Sequence, residues 1–301
     1  MRHEPDMPLV EVNNIGKCYG KRQVLDGICM RVERGAATAL IGRNGSGKST
    51  LLSILAGLIQ PTSGQVIYKD PKVTIGYAPE IFPGLKFTPE QYLQSMGRIS
   101  GLEPLELTRR IGELMERFHL AAYRSHPMPS FSKGMLQKVN LMQSLLMQPK
   151  LLLLDEPLSG LDQPAQQQLL ELLLERKREG AAIVFTVHEE QMAQALADKI
   201  HMLQGGRTVN QITGKEPWQL QRSTYIVCSG LTKGQQLSLA SRPGFLSWRE
   251  VTEEFGPEHT GFTVKRSVSD DFLREVLGSG GSILSVEPGD GQGHTKGDAA
   301  P

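Results

Sequence analysis

"GRNGSGKST", residues 42 to 50, follows the short apolar run "AATALIG" and precedes "STLLSILAGL", whose apolar residues fall at helical spacing. The pattern G-x-x-x-x-G-K-S, between a buried strand and a helix, predicts a loop whose glycines let backbone N–H groups close around phosphate. The alternative, a Gly/Ser-rich turn with a chance lysine, accounts for neither flanking element. The loop residues Gly42, Arg43, Asn44, Gly45, Ser46, Gly47, Lys48, Ser49 and Thr50 are the expected nucleotide contacts. Lys48 would neutralise the β- and γ-phosphates, and the Ser49 hydroxyl would bind Mg²⁺.

A second strand signal, "LLLLDEP" (151–157), delivers two acids at its C-terminal end. In an open α/β sheet that end is where ligands bind. Asp155 is expected to hold the metal, and Glu156 to act as general base toward water. Alone, two acids at a strand end read equally well as a solvated turn. "AAIVFTVH" (181–188) predicts another buried strand, with His188 just beyond it and within reach of a γ-phosphate. A histidine at a strand end is more often structural, so its place alone assigns nothing.

The chain alternates strands and helices, which predicts a largely parallel sheet covered on both faces. Residues 88–148 read as a helical insertion. Beyond residue 212 the order becomes βαββαβ through "TYIVCSG", "FLSWREV", "GFTVKRS", "DDFLREVLG" and "SILSVEP", which suggests a ferredoxin-like module. The expected divisions are a phosphate-loop domain at 8–212, an α+β accessory domain at 222–287 and a polar, Gly-rich, disordered tail at 288–301.

Bulk properties exclude several classes. The 301 residues carry a net charge of +1, so no nucleic-acid partner is expected. Cys18, Cys29 and Cys228 are scattered and unpaired in spacing, which argues against a disulfide framework or a zinc site. No apolar run approaches the roughly 20 residues of a spanning helix, and "MRHEPDMPLV" has no signal-peptide core.

Taken in order, Tyr19, "GRNGSGKST", "YAPE", "FSKGMLQ", "LLLLDEP", "SGLD" and "VH" resemble the ATP-binding subunit of ABC transporters over about residues 8–210. The resemblance implies a P-loop ATPase with an N-terminal antiparallel part and ATP and Mg²⁺ as cofactors. It implies two partners: a separate transmembrane permease and a second ATPase subunit, an identical chain in a homodimer or a different one in a heterodimer. The resulting place is the cytoplasmic face of the membrane. Tyr19 looks like the aromatic that stacks on adenine, although a core or turn tyrosine reads similarly. Ser132, Lys133, Gly134 and Met135 correspond to the signature loop that binds the opposite subunit's nucleotide. Asp162 looks like the residue coupling the two sites, and it also reads as a helix N-cap. Glu80 stands where the family has a glutamine that senses metal and water. Together with the accessory module, Glu80 points to exporters of drugs or peptide antibiotics. The rival expectations are a soluble ATPase of this class acting on ribosomes or DNA, and a non-catalytic nucleotide-binding regulator.

Overall fold

The computed structural model describes residues 8–187, 190–213, 223–251, 258–265 and 268–288. His188 and residues 289–301 lie outside the described residues; of the tail expected at 288–301, Pro288 is described and ends a strand. The chain divides into two compact units, 1–213 and 214–301.

In the first unit the phosphate-loop sheet has the order β5-β6-β7-β3-β8-β9. Its strands are β3 (Ala37–Ile41), β5 (Ile75–Ala78), β6 (Leu151–Leu154), β7 (Ala182–Thr186), β8 (Lys199–Gln204) and β9 (Arg207–Thr213). All neighbours are parallel except the β8–β9 pair. Leu151, Leu152, Leu153 and Leu154 are all buried, as are Ala182 to Thr186. Continuous apolar runs of this kind belong to parallel strands covered on both faces. Each Leu, Ile, Val and Phe among them contributes about 1.5–3 kcal/mol on burial. A second sheet, order β2-β1-β4, is antiparallel and holds β1 (Val10–Tyr19), β2 (Arg22–Val32) and β4 (Ser63–Tyr68). One apolar core, including Leu25, Leu51, Leu55, Leu153 and Val184, joins the two sheets.

The helices are α1 (Lys48–Leu55), α2 (Pro89–Ile99), α3 (Pro104–Arg117), α4 (Lys133–Leu145), α5 (Gln163–Arg178) and α6 (Glu190–Leu196). A reciprocal Thr88–Gln91 capping box starts α2, with Pro89 in its first turn. The chain from β5 back to β6 passes through α2, α3 and α4, which is where the sequence implied a helical insertion.

The second unit comprises β10 (Ser223–Ser229), α7 (Lys233–Ala240), β11 (Phe245–Glu250), β12 (His259–Lys265), α8 (Ser269–Gly278) and β13 (Ser282–Pro288). Its antiparallel sheet has the order β11-β12-β10-β13, a ferredoxin-like arrangement. Ile226, Cys228, Phe262 and Val264 alternate inward to meet Phe272 and Val276 of α8. Trp248 stacks on Phe262 at 6.3 Å between ring centroids, so both aromatics belong to this core. Burial pushes the Cys228 thiol up to about 11, so it stays protonated. No helix among the described residues is long and apolar enough to cross a membrane.

Candidate functional site

The loop from Gly42 to Gly47 is shaped by close approach. A Cβ on Gly42 would lie 2.3 Å from the Leu203 carbonyl oxygen. Gly47 has φ +103°, and a Cβ there would lie 2.5 Å from Leu25 Cδ2. Only glycine accepts both constraints. Lys48 opens α1 yet is 6% exposed, and its Nζ donates to the Gly42 carbonyl at 2.8 Å and the Arg43 carbonyl at 3.4 Å. The Ser46 hydroxyl is buried with no hydrogen-bond partner among the described residues. A buried ammonium, an orphaned buried hydroxyl and the N-terminal N–H groups of α1 suit a phosphate chain.

The loop forms one wall of an open cavity of about 750 Å³, lined also by Tyr19, Arg22, Val24, Glu80 and Glu156. Asn44, Gly45, Gly47, Lys48, Ser49 and Thr50 line it from the loop side. That volume lies within the usual range for a small-molecule site. Tyr19 is 50% exposed, with Lys17 Nζ 5.0 Å from its ring centroid and also donating to the Gln60 carbonyl at 2.7 Å. The ring is half-exposed and lines the cavity, so a planar base could stack on it.

The two acids are placed by a threonine on the neighbouring strand. Thr186 Oγ1 donates to Asp155 Oδ1 at 2.7 Å and accepts from the Glu156 N–H at 2.7 Å. Asp155 is 2% exposed, and its own N–H donates to Ala78 O at 2.9 Å. Glu156 has φ +48°, a left-handed conformation that costs a non-glycine residue about 1–3 kcal/mol. The strain is offset by the hydrogen bond to its N–H and turns the chain sharply after β6. Burial pushes the Tyr77 phenol up and the nearby Asp155 charge adds to this, against the lowering effect of Ser53. Thr186→Val keeps the shape and removes both hydrogen bonds. The unfolding free energy should fall by about 1–3 kcal/mol in a denaturant titration, because a buried carboxylate and an N–H lose their partner.

The signature residues lie elsewhere. Ser132 caps α4 by accepting from the Met135 N–H at 3.2 Å. Lys133 Nζ donates to Ser159 Oγ at 2.8 Å, and a Cβ on Gly134 would meet the Gly160 carbonyl at 2.5 Å. Asp162 caps α5 through the Ala165 N–H at 3.0 Å. Residues 132–135 and 159–160 therefore pack against each other, and neither these nor Asp162 lines the phosphate-loop cavity. The structure thus brings together Tyr19, Lys48, Ser49, Glu80 and Glu156 around one cavity, whereas Asp155 is buried and does not line it. The sequence reading missed Thr186, Arg22 and Val24. A lone threonine in "AAIVFTVH", within an otherwise apolar strand, was the available signal for the first.

A family model described as "ABC transporter" matches residues 25–159, from β2 through the turn after Glu156. The uncharacterized ABC transporter ATP-binding protein MJ1023 of Methanocaldococcus jannaschii is 30% identical over 89% of this chain and 99% of its own length. The chain belongs to the ABC transporter ATP-binding family. A solved structure of an ATP binding subunit of an ABC transporter is 33% identical, with a TM-score of 0.64 over 68% of this chain and 90% of that one. Two further relatives bear opposite transport names. The lantibiotic transport ATP-binding protein SrtF of Streptococcus pyogenes is 32% identical over 67% of this chain and 89% of its own. The zinc import ATP-binding protein ZnuC of Rickettsia bellii is 33% identical over 66% and 84%. This ABC subunit is an ATP-binding ATPase built on a P-loop fold, as the resemblance implied.

Proposed function

We propose that this ABC subunit hydrolyses ATP in sites shared by two copies of the chain, coupled to a separate membrane permease that exports a drug or peptide antibiotic. The observation that carries the shared site is spatial. Lys48, Ser49, Glu80 and Glu156 line one cavity, whereas Ser132–Met135 sit at the start of α4 and do not line it.

In this reading Tyr19 stacks on adenine, and the N–H groups of Gly42 to Thr50 cradle the phosphates while Lys48 neutralises them. Mg²⁺ would be held by Ser49 and Asp155, with Glu80 alongside, and would neutralise charge on the phosphate oxygens. Glu156 accepts a proton from the attacking water as its oxygen bonds to the γ-phosphorus and the bond to ADP breaks. The resulting charge is met by Lys48 and by His188. Ser132 and Gly134 of the second copy would close the site, with Lys133 and Met135 beside them and Asp162 linking the two sites. A chain with no spanning helix among its described residues would then work at the cytoplasmic membrane face. The exposed apolar side chains Ile81, 79% exposed, and Phe87, 49% exposed, would meet the permease in this reading.

Export rests on Glu80, on the second unit and on the likeness to a lantibiotic transport protein; the likeness to a zinc import protein is the competing indication. Purification of the full chain from detergent-solubilised membranes should bring down a polytopic membrane protein. Inside-out vesicles bearing the pair should accumulate a peptide antibiotic only with ATP. Accumulation in right-side-out vesicles instead would reverse the direction, and co-purifying rRNA or DNA with no membrane protein would sink the reading.

A further inference from the structure

Helix α4 begins at the signature residues, and its polar side chains tie together the ends of two strands. Gln137 and Asn140 are 4% and 0% exposed within a largely apolar helix. Gln143 is half-buried three residues further on. A spacing of three residues places all three on one stripe of the helix. Buried amides need partners; the N–H donors of these three reach backbone carbonyls in or just past β5 and β6, while Asn140 Oδ1 is buried with no hydrogen-bond partner among the described residues. Gln137 Nε2 donates to Pro157 O at 3.1 Å and lies 3.5 Å from Glu156 O. Asn140 Nδ2 donates to Pro79 O at 2.7 Å and to Gln137 Oε1 at 3.2 Å. Gln143 Nε2 donates to Tyr77 O.

Two of the residues receiving these bonds, Pro79 and Pro157, flank the two cavity carboxylates. Pro79 immediately precedes Glu80, and Pro157 immediately follows Glu156, whose φ of +48° must be held by its surroundings. β5 and β6 are parallel neighbours, so the Gln137–Asn140 pair clips both strand ends to one helix. The N-terminus of that helix is the signature, one turn before Gln137. We infer that Gln137 and Asn140 are positioning residues that link a copy's signature loop to its own Glu80 and Glu156. Occupation of the partner's nucleotide by Ser132 and Gly134 is thereby transmitted to the acids of the same chain. This inference rests on the shared-site reading above.

The test is Gln137→Met in the full chain, which preserves length and removes both hydrogen-bonding atoms. A general base displaced by a fraction of an ångström reduces turnover, so kcat should fall about tenfold or more while the ATP Kd stays within about twofold. Cooperativity in ATP should be lost with it. Unchanged kcat with unchanged cooperativity overturns the inference. So does a joint loss of ATP affinity and thermal stability in which the surviving activity remains cooperative, since that is a structural role. If Gln137→Met does not fold, Gln137→Glu replaces it, because it still accepts from Asn140 but cannot donate to Pro157. Glu156→Gln run alongside tells the two failures apart. Turnover surviving that change refutes the assignment of Glu156, whereas a Gln137→Met variant with wild-type kcat and cooperativity refutes only the positioning role.

Discussion

Glu156→Gln should stop ATP turnover while leaving ATP bound. The substitution keeps the length and both hydrogen-bonding positions of the side chain but removes the basic carboxylate, so binding contacts to the phosphates survive and proton abstraction does not. General-base catalysis contributes typically 10²–10⁴-fold, so kcat should fall by about that factor. The ATP Kd should change by less than about threefold, since the loss falls on the transition state. The bond from the Glu156 N–H to Thr186 Oγ1 is a backbone contact that the substitution leaves in place, and an unchanged thermal unfolding midpoint would separate lost chemistry from lost fold. Steady-state phosphate release against equilibrium nucleotide binding separates the two quantities. A variant that turns over at the wild-type rate would remove Glu156 from the chemistry.

Lys48→Ala should show the opposite pattern, loss of binding. Lys48 is 6% exposed and its ammonium is bonded to loop carbonyls, so the charge sits in the loop where phosphate would bind. A hydrogen bond to a charged group contributes about 1.5–3 kcal/mol, which corresponds to roughly tenfold to a hundredfold in Kd for MgATP. Adenosine, which carries no phosphate, should bind the variant and the wild type equally. Titration with a fluorescent ATP analogue and with adenosine checks both statements. Equal losses for the two ligands would indicate a collapsed loop instead of a missing charge.

The parts of the fold visible in the sequence are those whose causes are local. "AATALIG" followed by "GRNGSGKST" and a helical run contains its own strand, turn and helix signals, and β3, the loop and α1 sit where those signals put them. "LLLLDEP" is similar, because an apolar run ending in acids specifies both a buried strand and its active end. Asp162 reads as an N-cap and is one, through the Ala165 N–H. The C-terminal alternation was equally readable, since strands of period two and amphipathic helices leave distinct patterns.

What escaped the sequence depends on contacts between distant residues. Thr186 meets Asp155 only because β7 is the sheet neighbour of β6, a pairing no local pattern states. Gln137 and Asn140 read as polar positions on a helix, without sign that their amides end on Pro157 and Pro79. Arg22 lies opposite Tyr19 across the β1–β2 turn, so a cavity residue was hidden in a hairpin register. The left-handed backbone of Glu156 is a further case, as nothing in "LDEP" announces a positive φ on a glutamate.

The separation of Ser132–Met135 from the cavity makes the dimer the central claim. Its most direct test is the mass in solution of full-length Glu156→Gln, by light scattering, with and without MgATP. The mass should double only with MgATP, and Ser132→Arg introduced into the same chain should return it to the monomer while one ATP per chain remains bound. A Glu156→Gln protein that binds ATP and stays monomeric, or a dimer indifferent to Ser132→Arg, would contradict a nucleotide site completed by a second copy.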